Sequence, residues 1–97
     1  MKSISRRWQK VDPMPHIIVK LWAGKTAAQK QLLSDAIVRE VKTILGSGDE
    51  AISVAVEDIQ PEDWSSCVYE PDIQANWNRL TKVPGYGPGP DSEVKGR

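Results

Sequence analysis

His16-Ile17-Ile18-Val19-Lys20-Leu21-Trp22 decides the fold. Its apolar residues fall at alternate positions, so Ile17, Val19 and Leu21 share one face of an extended strand, while His16, Ile18, Lys20 and Trp22 take the other. Ala23-Gly24-Lys25 breaks the pattern. Thr26 then stands three residues before Gln29, the spacing of a capping box, in which each side chain satisfies the other residue's backbone N–H at a helix start. Leu33, Ile37, Val41 and Ile44 recur at i, i+4, i+8 and i+11, which stacks them on one helical stripe. Lys30, Asp35, Arg39 and Lys42 fall largely off it and are expected to be solvated. Gly46-Ser47-Gly48 ends the helix, with glycine where a left-handed residue is favoured.

Ala51 to Glu57 alternates again, with Ile52, Val54 and Val56 on one face and Ala51, Ser53 and Ala55 on the other. Strand, helix and strand form a βαβ unit, whose strands are expected to be parallel neighbours with the helix on one face. Two strands are too few for a stable sheet. The chain is therefore expected to complete its sheet against a second copy, with Ile18 and Trp22 facing the partner in a symmetric dimer.

Downstream, Pro61 suits the first position of a short helix, with Glu62 and Asp63 near its positive end. Pro71 is expected to interrupt that helix or to start another, and Ile73, Trp77 and Leu80 predict a second helix from about 71 to 82. Val83-Pro84-Gly85-Tyr86-Gly87-Pro88-Gly89-Pro90 reads as turns. The expected organisation is an upstream extension over 1–14, one α/β domain over 15–87, and a disordered tail over 88–97.

Formal charge is zero over 97 residues. In residues 1–14, Lys2, Arg6, Arg7 and Lys10 stand against Asp12 alone, which leaves the remainder mildly acidic. That body gives no electrostatic reason to expect nucleic acid or an anionic membrane as partner. No segment has the length of a membrane span. The single cysteine, Cys67, excludes an internal disulfide and suits the cytoplasm; it is expected to be at least partly buried. With His16 the only histidine, no metal site is expected.

Met14-Pro15 precedes the first strand directly. If translation starts at Met14 and that methionine is removed, Pro15 carries a secondary amine in a rigid ring, a base that no side chain supplies. As an internal residue the same nitrogen is an amide and takes no proton.

Pro15-His16-Ile17-Ile18-Val19-Lys20, the Ala23-Gly24-Lys25-Thr26 turn, Gln29-Lys30, and Ala51-Ile52-Ser53-Val54-Ala55-Val56 together resemble the 4-oxalocrotonate tautomerase family. Ile59-Gln60-Pro61-Glu62-Asp63-Trp64 and Lys82-Val83-Pro84-Gly85-Tyr86 resemble its longer, dimer-forming bacterial branch. The resemblance implies a cofactor-independent keto–enol tautomerase acting on a small molecule, with Pro15 as catalytic acid and base. Lys25 falls where founding members carry an arginine that binds a substrate carboxylate, and Ser53 where they carry a second. Trp64 replaces an aromatic residue that lines the pocket. A lone lysine lacks arginine's two-pronged fork, so a substrate with at most one carboxylate is expected, such as an aryl or alkyl pyruvate-type enol.

A free α-amine titrates near ~8, and an apolar pocket disfavours its cation, bringing it toward neutrality where acid–base work is efficient. The enolate oxygen needs a donor, for which Lys25, a backbone N–H and a water all qualify. His16, beside Pro15, reads as a second acid–base group or as a solvent- or interface-facing strand residue. The competing class is a non-enzymatic dimeric interaction module with a genuine basic arm; nucleic-acid binding through Arg6, Arg7, Trp8 and Lys10 is a third.

Overall fold

A computed structural model describes residues 14–90. The basic arm and the end of the tail, residues 1–13 and 91–97, lie outside the described residues, and with them the readings of an upstream extension and of a terminal tail. The chain divides into two compact units, the first ending at Asp58 and the second starting at Ile59.

The first unit is the expected β-α-β arrangement. Strand β1 spans His16–Trp22, helix α1 Ala27–Leu45, and strand β2 Ser53–Ile59. The Ser53 N–H, at the head of β2, donates to the Pro15 carbonyl, just ahead of β1, at 3.2 Å. Both strands therefore start at the same end and run parallel, as neighbours in a two-stranded sheet. A parallel pair needs a long crossover, and α1 supplies it.

The capping box forms as its spacing requires. Gln29 N–H donates to Thr26 Oγ1 at 3.0 Å, and Thr26 N–H donates to Gln29 Oε1 at 2.9 Å. Gly46 closes the helix in the left-handed region at φ 73°, its N–H bonded to the Lys42 carbonyl at 3.0 Å. A Cβ is disfavoured at that φ, so glycine is the natural stop.

Three details differ from the sequence reading. Asp49–Ala51 forms a turn of 3₁₀ helix, so β2 starts two residues later than expected. The covered stripe of α1 runs through Lys30, Ser34, Ile37, Val38 and Val41; Ile44 lies off it at 73 % exposure, and Leu33 sits at its edge. Lys30 is not freely solvated. Its Nζ reaches both carboxylate oxygens of Asp58 at 3.1 and 2.9 Å, tying the first turn of α1 to the end of β2.

On β1, Ile17, Val19 and Leu21 are half-buried, whereas Ile18 and Trp22 remain 50 % and 56 % exposed. Helix α1 has no fully buried residue, and Leu32, Ile44 and Leu45 are exposed.

The second unit opens with a 3₁₀ turn, Pro61–Asp63, with Pro61 in the first turn as expected. Its main element is a wide helix over Ser65–Gln74 with Pro71 inside it, rather than a helix over about 71–82. Proline removes an N–H and crowds the carbonyl four residues back. A wider winding meets both demands, and the closing bond from Ala75 N–H to the Glu70 carbonyl (3.0 Å) spans five residues. The Asn76 side-chain amide then donates to the carbonyls of Pro71 and Asp72, both at 3.2 Å, satisfying groups that a helix end leaves open. Trp77–Arg79 continues only as a 3₁₀ turn.

This winding buries Val68 and Tyr69 and leaves Cys67 exposed, contrary to the expectation for that cysteine. Residues 88–90, expected to belong to the tail, are instead held. Gly89 N–H donates to the Tyr69 hydroxyl at 2.8 Å, and the Gln74 side chain donates to the Gly89 carbonyl at 3.0 Å.

Candidate active site

Pro15 stands immediately before β1, half-buried, and its carbonyl is engaged by Ser53. The same register brings the side chains of the next residues together: His16 Nδ1 lies 2.6 Å from Ser53 Oγ. Pro15, His16 and Ser53 thus share one end of the sheet, with Pro15 and Ser53 joined through the main chain and His16 and Ser53 through their side chains. Of the residues proposed from the sequence, Pro15 and Ser53 are therefore neighbours.

Lys25 is not beside them. It follows the far end of β1, a seven-residue strand whose ends lie about 20 Å apart at the usual rise per residue. There Lys25 lines a depression of about 190 Å³ together with Leu21, Gln29, Lys30 and Leu33. Because Lys30 is paired with Asp58, Lys25 is the lining cation available to an anionic group. Apolar Leu21 and Leu33 beside it suit an anion with a hydrophobic body. Within one protomer Lys25 and Pro15 thus flank opposite ends of β1.

Trp64 belongs to the second unit, at the head of the wide helix, and is half-buried. Its indole N–H donates to the Tyr86 hydroxyl at 3.0 Å. The Tyr86 ring in turn lies 5.6 Å from that of Tyr69, inclined by 49°, within the range of favourable aromatic pairs. With its polar edge satisfied internally, Trp64 has only its apolar ring faces left to offer a ligand.

The sequence reading did not foresee the His16–Ser53 contact, nor the roles of Tyr69 and Tyr86. A usable signal existed for the first. Parallel strands that begin at His16 and Ser53 set those two residues at the same end of the sheet, once the start of β2 is known. No local pattern announces the second, which depends on how residues 83–90 fold back.

The family model described as "Tautomerase enzyme" matches residues 15–66, more than half of the chain. A probable tautomerase of Xylella fastidiosa (strain 9a5c) is 47 % identical over 74 residues, covering 76 % of this chain and 90 % of that protein. Tautomerase PptA of Pectobacterium carotovorum subsp. carotovorum (strain PC1) is 36 % identical over 74 residues, covering 75 % of this chain and 97 % of that protein. Among solved structures, that of YwhB, a homologue of 4-oxalocrotonate tautomerase, is 33 % identical with a TM-score of 0.46, over 47 % of this chain and 75 % of that one.

A β-α-β unit led by a proline, with this family match, defines an isomerase of the keto–enol class. The chain belongs to the tautomerase family. Among the described residues, no helix is long and apolar enough to cross a membrane.

Proposed function

We propose that the chain interconverts the keto and enol forms of a small 2-oxo acid type substrate, using the ring nitrogen of Pro15 as acid and base. The observation that carries this is positional: the family match starts at Pro15 itself, and the first strand starts one residue later. The reading requires that residues 1–14 be absent from the working protein, so that the nitrogen is an amine.

The proton cycle closes on itself. The neutral amine takes the hydroxyl proton of the enol, leaving an enolate. The ring ammonium then returns a proton to the carbon beside the carbonyl, which releases the keto form and restores the amine. No electrons leave the substrate, so the cycle calls for no cofactor. A half-buried position next to an apolar strand favours the neutral amine over its cation. By the family resemblance Trp64 is the candidate for an apolar wall, and Ser53 brings a hydroxyl to the Pro15 end of the sheet.

Lys25 contacts the substrate carboxylate from a second copy of the chain, because its own Pro15 lies at the other end of β1. That second copy packs on the sheet face carrying Ile18 and Trp22, forming a homodimer in the cytoplasm. Half-exposed apolar side chains on a two-stranded sheet support this closure.

Intact-mass analysis of protein made from its own gene is expected to return Pro15 as the first residue. Pro15→Ala is expected to lower enol-to-keto turnover by about 100-fold or more, the scale of lost acid–base catalysis. Full activity in protein that keeps Met14 attached to Pro15 would overturn the reading.

A further inference from the structure

Pro15, His16 and Ser53 close a small loop of contacts: a peptide bond from Pro15 to His16, a 2.6 Å side-chain contact from His16 to Ser53, and a 3.2 Å main-chain bond from Ser53 back to Pro15. A serine at the exposed head of a strand would otherwise divide its hydroxyl among staggered rotamers. The contact with His16 Nδ1 selects one of them. A hydroxyl carries a single hydrogen and can also accept. When Nδ1–H donates into Oγ, the hydroxyl hydrogen of Ser53 is left to point away from the ring.

The enolate formed at Pro15 needs such a hydrogen; Lys25 of the second copy is engaged by the substrate carboxylate, whereas the Ser53 hydroxyl stands at the Pro15 end of the sheet. The geometry points to Ser53 as the donor to the enolate oxygen and to His16 as the positioning residue that holds Ser53 in place, an assignment resting on the Pro15 reading above. His16 touches no reacting atom in this scheme. It acts through the oxygen it fixes, and a donor held in place before the charge develops stabilises that charge without reorganisation.

The test uses protein produced from the full coding sequence, its amino terminus fixed by intact mass, with an aryl 2-oxo acid enol as probe. Ser53→Ala and His16→Leu are each expected to lower kcat about tenfold while KM stays within about twofold, a modest share of the effect of losing an oxyanion donor. The double variant is expected to be no worse than either single one, since both remove the same interaction. His16→Asn, whose amide nitrogen can stand where Nδ1 stands, is expected to recover most of the loss; a purely structural role would not produce that rescue. Should His16→Leu fail to fold, His16→Gln, which carries its amide one bond further out, is the loss variant. Wild-type kcat in the loss variant, or losses that multiply in the double variant, would overturn the assignment. Pro15→Ala separates the two readings. If it is inactive while the His16 loss variant is fully active, the His16 assignment alone falls; if it is fully active, both fall.

Discussion

Tyr69 and Gly87 approach so closely that a methyl group cannot be placed between them. A Cβ on Gly87 would come within 2.5 to 2.6 Å of the Tyr69 Cζ, Cε1 and hydroxyl oxygen, and Gly87 sits at φ 84°, where side chains are strained in any case. Tyr69 is buried, and its hydroxyl accepts the Gly89 N–H. The stretch after the wide helix is therefore clasped to that helix through one ring. Gly87→Ala is expected to destabilise the protein by about 1–3 kcal/mol, from backbone strain and overpacking together. Gly85→Ala is the control, because its Cβ meets nothing within 4 Å and its φ is not positive. Denaturant titration of the two variants should separate them cleanly; equal midpoints would refute the clasp.

The Lys30–Asp58 pair joins α1 to the end of β2, with both carboxylate oxygens in reach of one ammonium. Its side chains are 25 % and 41 % exposed, so solvent screens much of the attraction. A double-mutant cycle with Lys30→Ala and Asp58→Ala is expected to give a coupling of about 0.5–1 kcal/mol. That coupling should shrink as salt is raised toward 1 M. A coupling of zero at low salt would mean that the pair holds nothing in place.

The β-α-β half was legible because its signals are local. Alternation fixed β1, the Thr26–Gln29 spacing fixed the start of α1, and Gly46 fixed its end. What escaped depends on contacts distant in sequence. Helical spacing alone points Lys30 to solvent, because its partner, Asp58, lies 28 residues away. A four-point periodicity puts Ile44 on the buried stripe because it tolerates a last residue that has rotated off the face. Proline ordinarily marks a helix boundary, so periodicity alone starts the second helix at Pro71, whereas the backbone widens to accommodate it. At the candidate site, Met14-Pro15 ahead of β1 and the family resemblance single out Pro15, but the His16–Ser53 contact needs the register between strands. Seven residues of strand separate Lys25 from Pro15, a distance that residue types at matching positions do not convey.

Thr26 offers a direct test of the local part. Its side chain accepts the Gln29 N–H while Gln29 answers the Thr26 N–H. Thr26→Ala is expected to cost about 1 kcal/mol in stability, and Thr26→Ser to recover most of it. Helicity and denaturant midpoint together check this; an unchanged midpoint for Thr26→Ala would show that α1 is held by packing alone.

The placement of Pro15 and Lys25 at opposite ends of β1 has a consequence for subunits. If a site takes Pro15 from one copy and Lys25 from another, Pro15→Ala and Lys25→Ala protein each have two defective sites per dimer. A mixed dimer holds one site with both defects and one with neither. Random exchange of equal amounts makes half the dimers mixed, so about a quarter of wild-type activity is expected to return, given symmetric two-fold pairing. The assay is run below saturating substrate, where loss of carboxylate binding by Lys25→Ala is visible. Ile18→Glu, introduced into both partners on the exposed sheet face, is expected to abolish both the complementation and the dimer seen by light scattering, since it places charge at an apolar contact. Mixtures that stay as inactive as their components, with exchange verified by mass, would confine Lys25 to a role outside the site.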